Sequence, residues 1–512
     1  MILGLHLSKI KKNTAMIRLI MSTFTVILFS LPTFPQQTFF TQIHDDKFHN
    51  PTDVIIKQNG NMMFCTQYWP QDKGWNSMIF EVNNFGEVMN EWAFNKTVEE
   101  NLRCIRILEY NEQVYLFGEG HKTLSGFDKA NVSIIKFDMQ LNEIGHYSHI
   151  IQGIDPIRLL PTNVQCRDTT FHIVGLTMFS DINTTPFYFK TSPSCLNIHS
   201  SYYAPGTLVD IWPQGFYLLP GSDNLFTICQ KWGGPKDVFC HFYEFDTMMS
   251  VVSDIPIAMN GSGLAMIGYK IIKSSDTTFY LAYNFWDLDE WSSKVTKFDL
   301  NGNILRDFIF ECHEDSSSWI AHYNGMDTLP DGNLLLCTTW NLDKEFNVQQ
   351  EPTKIMLFKL SPNLDLIWQK YLFGDDGMYE AYGVKAHPDG GIVVLGTYSR
   401  TPPTSQDIKE VFLMKTDSDG LLTHIGDGEP KIKTTEAILF PNPAGEIVYI
   451  EFSQVYQNAV FQLMDIGGKM VQEKQLNSNF QSVNISTIQA GTYVYRIFNK
   501  EGLDERGKVV VE

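Results

Sequence analysis

Four tryptophans recur at one position of a repeated pattern, and their side chains are well suited to binding a ligand. Trp69, Trp232, Trp286 and Trp340 each follow, by three or four residues, the small residue that closes an apolar run. Indole faces stack on sugars and on peptide side chains. These four side chains are therefore our candidates for binding a ligand on one face of the fold. The interpretation that we favour is that each indole packs between neighbouring repeats.

The sequence contains no motif for a catalytic nucleophile, a zinc protease or a phosphate-binding loop. The segment from His313 to Asp315 lies close to His322, but the spacing follows no common rule for metal ligands, so a solvated loop is the better interpretation. The segment from Asp417 to Gly420 begins like a calcium loop, lacks the downstream glutamate, and fits a hairpin turn better. From these patterns we predict no catalytic residue, no metal site and no cofactor.

Charge and composition narrow the functional class. The chain has 512 residues, with 39 Lys and Arg against 58 Asp and Glu, and its formal net charge is -19. A strongly acidic protein repels phosphate backbones, so we expect no nucleic-acid partner. Charged residues make up 19% and aromatic residues 13%, which is the composition of a folded protein.

The apolar runs repeat along the middle of the chain with a nearly constant period. The small residues that close them are spaced by 53 to 59 residues, and they are Cys65, Gly118, Gly175, Cys229, Ala282, Cys337 and Gly396. Each repeat also contains a second and a third apolar strand, separated by turns such as Asn301-Gly302. We predict that these turns are two-residue hairpin turns, in which both central residues have positive φ.

Seven repeats of four antiparallel strands predict a seven-bladed β-propeller over about residues 40 to 425. A solenoid is the alternative. The segment Trp368 to Gly396 resembles a propeller repeat that is common in secreted bacterial proteins. The segment Thr38 to Thr41 has the pattern of a last strand without a blade of its own, and we expect it to close the ring against the seventh blade.

The eight cysteines of the chain allow two interpretations. Cys65, Cys229 and Cys337 occupy the position where other repeats have Gly or Ala, and a free cysteine packs as a small apolar residue. The best disulfide candidate is Cys229 with Cys240, because the two would face each other if Gly234-Pro235 centres the connecting turn. The sequence does not rank pairings among the remaining cysteines.

The start of the chain has the pattern of a secretory signal. Basic residues, ending with Arg18, precede an apolar run of about 13 residues from Leu19 to Leu31. This run is shorter than the roughly 20 residues of a membrane-spanning helix. A buried helix of a cytosolic domain is the alternative interpretation.

Four motifs follow one another at the other end of the chain. They are Phe440-Pro441-Asn442-Pro443-Ala444, Met464-Asp465-Ile466-Gly467-Gly468-Lys469-Met470-Val471, Ile488-Gln489-Ala490-Gly491-Thr492-Tyr493-Val494-Tyr495 and Lys508-Val509-Val510-Val511. This segment resembles the type A C-terminal sorting domain of the bacterial type IX secretion system. The family usually ends in a basic residue, whereas this chain ends in Glu512. An ordinary accessory sandwich is the alternative.

The resemblance implies a route and partners for the protein. Its motif residues here are Pro441, Asn442, Pro443, Asp465, Gly468, Gly491, Tyr493 and Lys508. It implies passage into the periplasm and translocation across the outer membrane by the type IX machinery. Removal of the sorting domain by the C-terminal signal peptidase would follow, with release or attachment to surface lipopolysaccharide. The expected location is the cell surface or the medium.

The sequence therefore predicts an all-β protein with four segments. They are a signal peptide at 1–36, a seven-bladed propeller of four-stranded blades at 37–426, a linker at 427–436 and a small β-sandwich sorting domain at 437–512. We expect the propeller to be a non-enzymatic module that binds a glycan or a protein. The alternatives are a hydrolase or lyase acting on polysaccharide or peptide in the propeller funnel, and a structural scaffold. Paired carboxyl groups with raised pKa on the axis would favour the enzyme.

Overall fold

The computed structural model describes residues 37–422 and 437–511, apart from short internal segments. These segments are 44–46, 70–75, 95–100, 122–129, 153, 155, 181–182, 205–209, 219–220, 235–236, 258–264, 276, 288–289, 311–316, 343–351, 374–376, 400–408, 441–443, 453–458, 466–468, 477, 479 and 500–503. The proposed signal peptide and linker lie outside the described residues. The described part of the chain contains no helix that could cross a membrane.

The described strands up to Thr416 form seven antiparallel blades, as the repeat predicts. Strand β1 is Phe39–Ile43. Blade 1 contains β2 (Phe48–Ile56), β3 (Met62–Trp69), β4 (Asn76–Val82) and β5 (Val88–Ala93), and blade 2 contains β6 (Asn101–Glu109), β7 (Val114–His121), β8 (Asn131–Phe137) and β9 (Glu143–His149). Blade 3 contains β10 (Arg158–Arg167), β11 (Thr170–Ser180), β12 (Asn183–Thr191) and β13 (Asn197–Tyr202), blade 4 contains β14 (Asp210–Leu218), β15 (Leu225–Gly234), β16 (Asp237–Phe245) and β17 (Val251–Pro256), and blade 5 contains β18 (Ala265–Lys273), β19 (Thr278–Asp287), β20 (Glu290–Asp299) and β21 (Ile304–Phe310). Blade 6 contains β22 (Ser317–Ile320), β23 (Met326–Thr328), β24 (Leu334–Leu342), β25 (Lys354–Leu360) and β26 (Leu366–Leu372), and blade 7 contains β27 (Met378–Ala386), β28 (Ile392–Ser399) and β29 (Glu410–Thr416). The short strands β22 and β23 together form the innermost strand of blade 6.

Strand β1 closes the ring, as predicted. It pairs antiparallel with β29, from Phe39 opposite Lys415 to Ile43 opposite Val411, and so becomes the fourth strand of blade 7. Phe39 and Phe40 are both buried, and they pack into apolar clusters on opposite faces of this blade. The start of the propeller thus covers an edge that would otherwise be open to pairing with other chains.

The small residue of each repeat lies beside a bulge in the innermost strand. Cys65, Gly118 and Gly396 pair with the innermost strands of their blades at positions where the register shifts. A β carbon at Gly118 would lie 2.3 Å from the backbone oxygen of Arg103, and one at Gly396 would lie 2.6 Å from that of Glu380. The bulge brings the two backbones close together, so the position requires a small side chain.

The turns between the third and fourth strands differ from the prediction. The Asp299 amide donates to the Asn303 oxygen and the Gly302 amide to the Asp299 oxygen, both at 3.0 Å, so three residues lie between the paired positions. Within this turn Gly302 has a φ of 76°, and Asn301 is not at positive φ. The turn is therefore a type I turn followed by a left-handed residue, and the prediction of two residues at positive φ was wrong. The amides of Asn301 and Asn303 donate to Asp299 Oδ1, which stabilises the longer turn.

Apolar side chains from adjacent blades fill the spaces between them. Along β7, Val114 and Leu116 pack against blade 1, whereas Tyr115 and Phe117 pack against blade 3. This alternation follows from the two-residue period of a strand. Every blade is therefore apolar on both faces.

The last strands form a small sandwich. One sheet contains β30 (Ala437–Phe440), β31 (Ile447–Phe452) and β34 (Phe480–Asn484), and the other contains β33 (Met470–Leu476), β32 (Ala459–Asp465), β35 (Gly491–Phe498) and β36 (Asp504–Val511). Both sheets contribute to one core, in which Ile450, Phe461 and Val483 are fully buried. The Ala444 amide also donates to the Val510 oxygen at 2.7 Å.

Candidate functional site

The four predicted tryptophans lie toward the ends of second strands. Trp69, Trp232, Trp286 and Trp340 belong to β3, β15, β19 and β24, and the side chains of the first three lie outside the described residues. Trp340 is half-buried and packs against the apolar cluster between blades 5 and 6. Its ring meets that of Tyr371 edge-on at 6.0 Å. Trp340 therefore makes the inter-blade contact that the favoured interpretation expects, and the ligand-binding role of the four residues stays a prediction.

Two clusters of charged residues lie at the end of the propeller where the first strand of a blade begins and its second strand ends. We call this end the entry face. The first cluster, the Glu119 cluster, consists of Arg103, Glu119, His121 and Arg158. The second, the Glu380 cluster, consists of His322, Glu380, Tyr382 and Lys409. In each cluster the carboxylate is less exposed to solvent than the basic side chains that contact it.

Strand pairing and blade packing together assemble the Glu119 cluster. Arg103 on β6 is directly opposite Glu119 on β7. Glu119 follows Tyr115 and Phe117 on the same face of β7, and these rings pack against blade 3. Arg158 is the first residue of β10 in that blade. The carboxylate therefore ends an apolar inter-blade interface and meets a guanidinium from each of the two blades.

The Glu119 carboxylate is fully buried, whereas the guanidinium groups above it are partly exposed. Arg158 donates from Nε and Nη2 to the two carboxylate oxygens at 3.1 and 2.9 Å. Arg103 Nη1 lies 3.7 Å from Glu119 Oε2, and His121 Nε2 lies 3.3 Å from Oε1. The side chains of Arg103 and Arg158 are 20% and 28% exposed. The cluster therefore exposes its basic groups, and not its acid, to solvent.

Electrostatics keep Glu119 ionised. Burial alone would raise its pKa, but the hydrogen bond from His121 and the charge and hydrogen bonds of Arg158 outweigh burial and lower the pKa to about 2. The carboxylate thus stays charged at neutral pH and holds the arginines in fixed orientations.

The Glu380 cluster is built from blades 6 and 7. His322 Nε2 lies 3.0 Å from Glu380 Oε1, and Lys409 Nζ donates to Oε2 at 2.7 Å. The Tyr382 hydroxyl lies 3.4 Å from Oε2. Burial would raise the pKa of Glu380, but Lys409 and His322 hold it far below its ordinary value. The same contact with Glu380, together with burial, raises the pKa of Tyr382.

A polar network joins the innermost strands of three blades. Asn324 of blade 6 donates to Asp53 Oδ1 of blade 1 at 2.6 Å, and the Ile107 amide of blade 2 donates to Asp53 Oδ2 at 3.1 Å. Arg106 lies over the Tyr323 ring at 5.9 Å and donates to the Thr52 oxygen. No sequence motif indicated this network or the two clusters, because their members come from different repeats.

The described residues test one of the two metal hypotheses. His322 pairs with Glu380, and the segment 313–315 lies outside the described residues. The amides of Asp419 and Leu421 donate to Asp417 Oδ1, so this segment is a turn, as we preferred. Among the described residues it does not join two strands of a hairpin, because the outer partner of β29 is β1. The described part of the chain contains no group of three or more side chains placed to bind a metal ion.

The disulfide candidate Cys229–Cys240 was wrong. Gln230 is the residue opposite Cys240, and Cys229 is opposite His241. Neighbouring positions of a strand point to opposite faces, so the two thiols enter different inter-blade clusters. The expected hairpin is present, but its register is shifted by one residue.

The sorting-motif residues that the structure describes lie in the terminal sandwich. Asp465 closes the turn between β32 and β33 by accepting the Lys469 amide at 2.9 Å. Tyr493 is buried and donates its hydroxyl to the Gln489 oxygen at 2.8 Å. Gly491 begins β35, and Lys508 on β36 is opposite Val494. The motif residues Pro441, Asn442, Pro443 and Gly468 lie outside the described residues.

Comparison with protein families identifies this sandwich. The family described as "Secretion system C-terminal sorting domain" matches residues 438–512. The segment is a type IX sorting domain. It directs the protein through the periplasm to the cell surface or the medium, and it interacts with the secretion machinery on the way.

Comparison with solved structures returns matches of low sequence identity. The polysaccharide lyase Uly1 is similar with 11% identity and a TM-score of 0.44, over 72% of this chain and 89% of that one. The propeller domain of the Trilobed protease from Pyrococcus furiosus is similar with 10% identity and a TM-score of 0.40, over 75% of this chain and 100% of that one. PorZ of the Porphyromonas gingivalis type-IX secretion system is similar with 9% identity and a TM-score of 0.28, over 91% of this chain and 82% of that one. None of these similarities carries an argument about the function of this chain. Comparison with curated proteins gives no match.

Proposed function

We propose that the exported propeller is a non-enzymatic binding module that takes an acidic glycan on its entry face. The observation that carries this proposal is the Glu119 cluster, in which Arg103 and Arg158 are partly exposed above a fully buried carboxylate. A guanidinium presents parallel N–H donors that match a carboxylate or a sulfate group. Uronic acids and sulfated sugars carry these groups.

The charge of this region supports an acidic ligand. The whole chain has a formal net charge of -19, yet Arg103, Arg158 and Lys409 are all more exposed than the carboxylates they contact. Cationic groups that lie together on an acidic protein create a local positive electrostatic potential. An acidic sugar is therefore attracted to the entry face and repelled by most of the remaining surface.

The arginines are also fixed before a ligand arrives. The two hydrogen bonds from Arg158 to Glu119 restrain a side chain that otherwise has many rotamers. Ordering a long side chain costs about 0.5–1.5 kcal/mol on binding, and restraint in advance removes part of that cost.

The carboxyl groups favour binding over acid-catalysed hydrolysis. Glycoside hydrolases need a carboxylic acid whose pKa is raised so that it can protonate the leaving group. Among the described residues, every carboxyl group with a resolved shift has a lowered pKa, and these are Glu81, Glu119, Asp138, Asp299, Asp331, Glu380 and Asp389. A lyase or hydrolase remains the second candidate, which the binding experiment below also tests.

Titration calorimetry of the full chain with polygalacturonate, chondroitin sulfate and neutral dextran tests the proposal. We expect binding of an acidic glycan only, weaker at high salt, and a loss of affinity of about tenfold or more in Arg158→Ala. Arg306→Ala is the matched control, because Arg306 also pairs with a carboxylate, Asp365, but both side chains are largely exposed. Equal loss in both variants, binding of dextran, or release of shortened sugars would contradict the proposal.

We propose further that the sorting domain is removed after export, within or just after the linker 427–436, and that the propeller is then released or attached to lipopolysaccharide. Mass spectrometry of both ends of the mature protein, in the native host and in a strain without the type IX channel, tests this. We expect an external protein that starts near Gln36 and ends before about Ala437. Retention in the periplasm of both strains would contradict it.

A further inference from the structure

Two cysteines from adjacent blades meet in the interface between blades 1 and 2. Cys65 lies on β3 and Cys104 on β6, and both belong to the same buried cluster between the two blades. Both also contact the Thr52 hydroxyl, with Sγ to Oγ1 distances of 3.2 Å for Cys65 and 3.8 Å for Cys104. The two side chains therefore converge on one hydroxyl, whereas Cys229 and Cys240 enter different clusters.

The surroundings of the pair are apolar and closed. Cys65 and Cys104 are fully buried in one cluster with Met63 and Leu102. In the structure both are free thiols. They sit beside the bulge at Asp53, which pairs with Cys65, so their backbone positions are set by the same close approach of strands that every blade requires.

The export route determines the redox conditions that the two thiols meet. The sorting domain directs the chain through the periplasm, an oxidising compartment in which disulfides form and persist. We propose that Cys65 and Cys104 form a disulfide that joins blade 1 to blade 2 in the exported protein. A periplasmic thiol–disulfide oxidoreductase is the oxidant: its active-site disulfide accepts two electrons and two protons and becomes a dithiol, while the two cysteine thiols become one S–S bond through a mixed disulfide.

The bond forms before the propeller is packed. In the folded chain neither thiol is accessible to an oxidant, because both side chains are fully buried. Oxidation therefore takes place while the chain is still open, between entry into the periplasm and closure of blade 1 on blade 2. The same chain folded in a reducing cytosol keeps both thiols.

The link also bears on the entry face. Cys104 is the neighbour of Arg103 on β6, so the disulfide anchors the strand that carries one arginine of the Glu119 cluster. It constrains the unfolded chain between residues 65 and 104, which stabilises the folded state relative to the reduced protein.

Peptide mapping of the full chain from the native host tests the proposal. The protein is denatured in acid, blocked with N-ethylmaleimide without reductant, and cleaved with trypsin. We expect a cross-linked species that joins peptide 58–73, which contains Cys65, to the tripeptide 104–106, which contains Cys104, and that disappears on reduction. Blocked Cys65 and Cys104, or a disulfide from either to another cysteine, would overturn the proposal.

Melting curves give a second readout that does not depend on recovering these peptides. We expect dithiothreitol, present during the melt, to lower the melting temperature of the exported wild-type protein but not that of Cys104→Ala. Cys337→Ala is the matched control, because Cys337 is also fully buried but lies in the apolar cluster between blades 6 and 7. It should keep the response to reductant. A wild-type protein that melts at the same temperature with and without reductant contradicts the cross-link.

Discussion

The two charged clusters of the entry face stabilise a poorly solvated carboxylate with different basic groups. Glu119 is completely buried and is contacted by two guanidinium groups, whereas Glu380 is 19% exposed and is contacted by an imidazole and an ammonium group. A guanidinium is planar and can bond both oxygens of one carboxylate, as Arg158 does with Glu119, whereas an ammonium is a compact point charge. The Glu119 cluster joins blades 2 and 3 through its guanidinium groups, and the Glu380 cluster joins blades 6 and 7.

The largest effect should come from removing the arginine above the buried acid. Arg158→Ala leaves the Glu119 charge buried with weaker compensation, and such losses cost about 3–5 kcal/mol of folding free energy. Lys409→Ala should cost clearly less, because Glu380 keeps some contact with solvent. Urea denaturation of both variants measures the difference. Equal losses of folding free energy in the two variants would contradict the expected difference between the clusters.

Acid should weaken the Glu119 cluster over a defined range of pH. Because the folded pKa is lowered from 4.5 to about 2, the ion pair contributes its full stability above pH 4.5, and this is lost as the pH falls through about 2. The shift corresponds to a loss on the order of 3 kcal/mol. Urea denaturation from pH 6 to pH 2 should give a steeper decline for wild type than for Glu119→Gln. Parallel curves would mean that other carboxyl groups carry the acid sensitivity.

The two clusters can be displaced separately through the small residues behind them. A β carbon at Gly118 would strike the backbone of Arg103, and one at Gly396 would strike that of Glu380. Each alanine variant should lose about 1–3 kcal/mol of folding free energy. Only Gly118→Ala should also weaken binding of the acidic glycan. Gly445→Ala, where a β carbon meets nothing within 4 Å, is the control and should change neither property.

The smallest effect on binding is expected at Trp340. Because its half-buried indole packs between blades 5 and 6, Trp340→Ala should lower the free energy of unfolding by about 1 kcal/mol and leave glycan affinity unchanged. Calorimetric titration beside a melting curve separates the two properties. A loss of glycan affinity with an unchanged melting temperature would show instead that Trp340 takes part in ligand binding.

Local patterns were sufficient to predict the architecture. The period of the small residues predicts seven blades, the pattern of Thr38 to Thr41 predicts the closing strand, and the terminal motifs predict the sorting domain. These features depend on residues close together in the chain, where spacing alone determines strand alternation and turns.

Tertiary structure decided which residues meet. Glu119 and Arg158 belong to different blades, and so do Cys65 and Cys104, and no pattern within one repeat relates them. Register also matters: a shift of one residue sends Cys229 and Cys240 to opposite faces, although the hairpin itself was expected. The sequence by itself therefore determined the blades and the export signal. The charged entry face and the thiol pair arise only when bulges and inter-blade packing bring separate repeats together.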